Sequence, residues 1–253
     1  MTARGGGPGR PLRGRRIWGL SGLLVIAAIA IPCADFITSG WTRVPVTLTA
    51  VPSPVITVPQ PVTSVDVQSY GLPVQVTVGQ VASVQVSEQI AYDAQDGGPP
   101  AVRHSVSRGV LTLDAPSCAI SGCEVGFTVT VPPPGDVTAT VASEGGGVLV
   151  SGIAGATVNS GGGAVNATGI HGPLTVTTDG GAARLVFAAP PRAVIVSTEG
   201  GPALITLPGG PYAVTADSGG GHRLIGIATD PAAPRTIDVS SGGGPLQVEP
   251  AAG

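Results

Sequence analysis

The side chains able to do chemistry in this 253-residue chain are few, and several share one recurring position. Glu144, Asp179 and Glu199 each stand directly before a run of glycines. If Asp179 and Glu199 fall on neighbouring strands, their backbones lie about 4.8 Å apart. Like charges at that distance repel by about 3–4 kcal/mol at an effective dielectric near 20. Either the carboxylates splay into water or a cation bridges them. Calcium takes oxygen ligands of this kind, so Asp179 and Glu199 are the candidate metal ligands, on a spacing unlike the G-G-x-G-x-D calcium repeat. A carboxylate pair about 5–10 Å apart is also what glycoside cleavage requires.

Other chemistries are closed off. The chain has no Lys, which removes the P-loop, the Lys nucleophile and the Schiff base. It contains neither a G-x-S-x-G elbow nor an H-E-x-x-H pair. The glycine runs open no predicted helix, so they cannot cradle phosphate at a helix N-terminus. His104, His171 and His222 are isolated in sequence and read as solvated turn or surface residues. No catalytic residue and no cofactor is implied. Cys118 and Cys123, in "SCAISGCE", most simply close a local disulfide if the chain is exported. Such a small loop contributes about 2 kcal/mol in the chain-entropy account. Two free thiols are the alternative, because a metal site there needs two more ligands.

The elements that position these residues are strands. The 40 Gly and 25 Pro approach the level of low-complexity sequence, yet 42% of residues are hydrophobic and 11% charged, too apolar for a disordered chain. After residue 63, "SVDVQS", "VQVTV", "SVQVS", "VLTLDA", "GFTVTVP" and "VTATVAS" alternate apolar and polar residues, the period of half-buried strands. From residue 143 a polar dipeptide precedes Gly-Gly six times, with the pairs beginning at 145, 161, 180, 200, 219 and 242. Successive spacings of 16, 19, 20, 19 and 23 are those of solenoid coils. Each unit holds two short strands, and stacking the units buries one strand face against the next layer. The expected inward residues are Leu174, Val176, Leu185, Phe187, Val194, Val196, Leu204, Val214, Leu224, Ile237, Val239, Leu246 and Val248. Glycine suits the corners, where φ turns positive and a side chain would strike the neighbouring coil. The predicted fold is all-β: a β-solenoid, β-helix-like stack with repeats of about 20 residues over 64–253.

Charge sets the compartment. Arg4, Arg10, Arg13, Arg15 and Arg16 precede the uncharged run Ile17 to Ala34, whereas all 15 acidic residues lie at or after Asp35 beside seven Arg, a net −8. Eighteen helical residues span about 27 Å, enough for a bilayer core. Trp18 and Trp41 bracket the run as interfacial anchors. The reading is a cytoplasmic Arg-rich tail (1–16), a transmembrane signal-anchor helix (17–37) and an extracytoplasmic remainder on a single-pass protein of the cell membrane. A signal peptide cleaved after Ala28-Ile29-Ala30 would give a secreted protein instead, and lipidation at Cys33 is a third route. Residues 38–63, with Pro45, Pro52, Pro54, Pro59 and Pro61, read as a semi-rigid linker, or alternatively as an irregular edge strand. A negative ectodomain excludes nucleic acid as a partner.

The stretches "VRHSVSRGVLTLDAPSC" and "CEVGFTVTVPPPGDVTATVASEGGGVLVSGIAG", followed by T-D-G-G and S-G-G-G units, resemble the bacterial toast-rack or "putative adhesin" domains. The likeness covers roughly 64 to 250 and is to the actinobacterial type with an N-terminal anchor. It implies a surface β-solenoid without established catalytic residues. The expected role is binding, adhesion or envelope sensing by a membrane-tethered domain with a cell-envelope ligand. The alternative is a polysaccharide lyase or hydrolase on a β-helix scaffold.

Overall fold

The computed structural model describes residues 48–51, 54–93, 98–114 and 123–251. Val46–Gly253 forms a compact unit of its own. Every regular element in the described residues is a β-strand.

Sixteen of these strands build a stack of two-stranded coils. The first strands of the coils are β3 (Ser64–Tyr70), β7 (Val110–Asp114), β9 (Thr138–Glu144), β11 (Gly155–Ser160), β13 (Leu174–Thr178), β15 (Ala193–Ser197), β17 (Ala213–Asp217) and β19 (Thr236–Ser240). The second strands are β4 (Val74–Val78), β8 (Cys123–Val131), β10 (Val148–Ser151), β12 (Val165–Ile170), β14 (Ala183–Phe187), β16 (Ala203–Leu207), β18 (Arg223–Ile225) and β20 (Leu246–Pro250). The first set forms one parallel ladder in the order β7–β3–β9–β11–β13–β15–β19–β17. The second forms another, β8–β4–β10–β12–β14–β16–β20–β18. The coils therefore stack in chain order through the middle and out of order at both ends. At one end the β7–β8 coil lies outside the earlier β3–β4 coil. At the other, the last coil in sequence, β19–β20, is inserted beneath β17–β18.

The expected solenoid is thus what the chain forms, and period-2 burial is the reason. In β9 every second residue is buried and its neighbours are exposed, the pattern of a strand with one face on a core. Val65, Val67, Val141, Val158, Val176, Val194 and Val239 from one ladder meet Val74, Val150, Ala167, Leu185, Ile205 and Val248 from the other, all nearly inaccessible. Among the described residues only Phe127, Phe187 and Tyr212 are buried aromatics, because thin layers leave little room for rings.

Several expectations need correction. Leu204 and Leu224 face outward: they pair with Arg184 and Gln247, and the inward residues of β16 are Ala203, Ile205 and Leu207. Val214 points inward but is only half-buried, because its coil is the last of the stack. Residues 38–63 are not all linker. β1 (Leu48–Val51) and β2 (Ile56–Val58) pair antiparallel with β5 (Val84–Asp93), and Val58 joins the core. Proline is compatible with this because an edge strand has a free side. β5 in turn pairs with β8, and β6 (Arg103–Ser107) with β7, so antiparallel strands cover that end of the stack. The predicted tail (1–16) and transmembrane segment (17–37) lie outside the described residues, among which no helix is long and apolar enough to cross a membrane.

Candidate functional site

The recurrent polar-Gly-Gly units line up along one edge of the stack. The residue before each turn points inward: Ser69, Ser143, Ser160, Thr178, Thr198 and Ser241 are all buried, with half-buried Ser218 closing the series. Strand register superposes them, Ser69 on Ser143 and Ser143 on Ser160. A buried hydroxyl needs a partner, and the turn supplies one from the glycine three residues on. Ser143 Oγ donates to Gly146 O at 2.9 Å, Ser160 Oγ to Gly163 O at 2.8 Å and Ser218 Oγ to Gly221 O at 2.6 Å. Thr198 and Ser241 bond Gly201 and Gly244 in the same way. Thr178 instead donates to Gly163 of the coil before, while accepting from the Gly181 amide at 3.0 Å. The glycine at that position is obligatory for packing. A β-carbon on Gly201 would collide with the backbone carbonyl of Gly181, and one on Gly244 with that of Gly201.

The carboxylates stand one residue further along the turn. Asp179 and Glu199 do fall on adjacent coils, as Gly180 N–H donating to Thr198 O at 2.9 Å requires. Both are exposed, as is Glu144. The equivalent residue between Glu144 and Asp179 is Gly161, and those beyond Glu199 are Gly242 and Gly219, so the acidic column is a pair plus an outlier. Calcium needs 6–8 oxygens, and among the described residues no group of three or more acidic, His or Cys side chains is placed to hold a metal.

The sequence could show the polar residue before each glycine run; it could not show that its hydroxyl points in. The described histidines are exposed: His104 Nδ1 lies 3.8 Å from Glu88 Oε1, His171 Nδ1 lies 3.4 Å from Ile153 O, and His222 sits in the corner of the β17–β18 coil. Cys123 opens β8, while Cys118 lies outside the described residues. Tyr70, beside the first corner, has its phenol pKa raised by desolvation and then by the charges of Glu144 and Asp114.

Both ladders present an outer face, and that of the first is the richer in short polar side chains. Thr140, Thr157 and Thr175 form one row across three successive coils, continued by Ile195 and Asp238. Asn159, Thr177, Ser197 and Ser240 form the parallel row. Strands about 4.8 Å apart with side chains alternating in direction make this a flat polar lattice. Ile195 is 49% exposed within it.

No protein-family model matches the chain, and no curated protein sequence is significantly similar to it. Solved structures are similar in part. A "putative cell adhesion protein" from Clostridium sporogenes ATCC 15579 shares 9% identity, covers 81% of this chain and 100% of its own, and has a TM-score of 0.41. A "putative adhesin" from Bacteroides fragilis NCTC 9343 shares 12%, covers 81% and 98%, and has a TM-score of 0.42. Another from Parabacteroides merdae ATCC 43184 shares 12%, covers 80% and 96%, and scores 0.30. At these identities no residue role passes to this chain.

Proposed function

We propose that the chain is a membrane-tethered, extracytoplasmic β-solenoid that works by recognition, as an adhesive or envelope-sensing surface, and not by catalysis. The observation that carries this reading is the flat lattice of Thr140, Thr157 and Thr175 beside Asn159, Thr177 and Ser197. Short hydroxyl and amide side chains on a rigid sheet lose little entropy on binding and offer regularly spaced donors and acceptors. A repeating polar polymer of the cell envelope is the ligand chemistry such a lattice fits. The uncharged run after the Arg cluster supports the tether, and the negative remainder supports a location outside the cell.

Pull-down of the purified full chain with cell-envelope fractions tests this, using Thr157→Glu and Thr175→Glu as face variants. Retention by the native chain and its loss in the variants is expected. Equal retention of all three, or of none, removes the reading. Turnover of an envelope polysaccharide that vanishes in Asp179→Asn or Glu199→Gln would replace it with the enzyme alternative. On the extracytoplasmic reading Cys118 and Cys123 form a disulfide, so in denaturant the full chain should take up one alkyl group, at Cys33, without reductant and three after reduction.

A further inference from the structure

We propose that the β17–β18 end of the solenoid docks against the same end of a second copy of this chain. Among the described residues β17 has only β19 as partner strand and β18 only β20. The Ala213 amide donates to Arg235 O at 2.9 Å and Asp217 O accepts from Ser241 N–H at 3.0 Å, so these residues face the stack. Backbone groups alternate sides along a strand in a parallel ladder. Those of Val214 and Ala216 therefore point away from the stack. Gly226 N–H donating to Val248 O at 2.8 Å fixes the same alternation along β18, turning Arg223 and Ile225 to the open side. Two edges without a partner strand stand back to back, one on each ladder.

The core is incomplete at this end. In the coil beneath, Ile237, Val239, Leu246 and Val248 are 0–1% accessible. Val214, Ala216 and Ile225 hold three of the equivalent inward positions and are only partly buried, exposed Arg223 holds the fourth over Leu246, and Leu224, 43% exposed, lies on the outer face beside them. Two features cover part of it. Arg223 Nη1 donates to Ala216 O at 2.7 Å across the end of the coil. Tyr212 pairs with the returning chain, its N–H to Ala228 O at 3.2 Å and its carbonyl accepting from Asp230 N–H at 2.9 Å.

The occupant is identified by what both edges require together. A lone strand from another protein would satisfy one edge and leave the other bare. A partner satisfying both must carry two strands one coil-width apart with aliphatic residues between them, which is what the end coil of a second copy presents. The opposite end does not qualify, because β5 and β6 already occupy β8 and β7. Head-to-tail growth is closed, and the contact is isologous and stops at two. A two-fold axis along the strands sets β17 antiparallel to β18 of the second copy. That brings Asp217 beside Arg223 of the second copy, and the reverse, so charge and strand polarity agree.

This deepens the adhesive reading and rests on it only for its biological use. Leu48 begins β1, which reaches the stack through β5 at the far end. Two docked copies thus hold their Leu48 residues at opposite ends of the pair, as bridging two surfaces requires. Sedimentation of the full chain in detergent between about 1 and about 100 µM should show a monomer–dimer equilibrium. Ala216→Pro removes an N–H that the stack does not use, and proline is tolerated on such an edge. Leu224→Glu charges an exposed side chain. Each should weaken dimerisation by at least about tenfold, with the melting temperature of the dilute, monomeric chain unchanged. A chain that stays monomeric throughout, or a dimer indifferent to both variants, overturns the proposal. Dimers that ignore envelope fractions leave the docking intact and remove only the recognition reading.

Discussion

Ser69 and Ser160 occupy the same inward position two coils apart, yet only one of their hydroxyls has a partner. Ser160 Oγ donates to Gly163 O, whereas Ser69 Oγ is buried without an acceptor. The cause is local: the Ser69 corner reads Tyr70-Gly71-Leu72, so Leu72 stands where the other turns have a glycine three residues on. Ser160→Ala removes one of two hydrogen bonds to Gly163 O, leaving the Thr178 hydroxyl as its donor, and should cost about 0.5–1.5 kcal/mol. Ser69→Ala removes an unsatisfied group and should be neutral or stabilising in urea denaturation; an equal loss at both would mean that Ser69 has an acceptor after all. Glu199 offers the opposite case. Its φ is 44°, while the equivalent Gly242 and Gly219 both have φ 58°. A left-handed backbone costs a side-chain-bearing residue about 1–2 kcal/mol, so Glu199→Gly should raise the melting temperature, partly offset by glycine's extra chain entropy. The same substitution removes one charge of the Asp179–Glu199 pair. Calcium should leave the native melting temperature unmoved, since two exposed carboxylates supply too few ligands; a rise lost in Glu199→Gly would restore the metal site.

Among the elements, the connection from β16 to β17 is where packing and pH meet. It carries the chain past the β19–β20 position to the far coil, and Tyr212 fixes it by donating its phenol proton to Pro208 O at 2.9 Å. Burial raises the Tyr212 pKa, and the Arg235 charge offsets this in part. The folded value therefore lies above the ordinary 10.0. As pH climbs past that point the unfolded chain loses its proton first, so stability falls with rising pH. Urea midpoints between about pH 8 and about pH 11 should drop. Tyr212→Phe should flatten the drop without abolishing it, because Tyr70 is shifted in the same direction. At neutral pH it should cost about 1 kcal/mol for the lost hydrogen bond. Legibility also divides at this scale. β9 and β13 were readable because polar and apolar residues alternate cleanly. In "ALITL" nearly every residue is apolar, so the pattern carried no phase, and Leu204 was placed inside when Ile205 belongs there. β1 and β2 were hidden by their prolines, since an edge strand and a linker share that composition. At the corners the polar residue was visible, but its inward direction depends on a turn geometry that types alone do not encode.

For the whole molecule, the decisive feature is the order of the coils, which no repeat spacing announces. The interval of 23 between the last two glycine pairs was consistent with one more coil in line. It instead contains a return segment, Gly226 to Pro234, that brings the chain back beneath β17–β18. The final coil is therefore bonded on both sides: β19 to β15 and β17, β20 to β16 and β18. The β17–β18 coil depends entirely on it for strand pairing. Truncation after Pro234 should consequently remove two coils' worth of structure while deleting the strands of one. In hydrogen exchange the stack-facing amides of this coil, such as Ala213 and Gly226, should lose protection together, whereas β13 and β14, paired with β11 and β15 and with β12 and β16, should keep theirs. Protection retained across β17 would mean that the coil can stack directly on β15 and β16, and that chain order, not the inserted C-terminal segment, governs how this end of the solenoid closes.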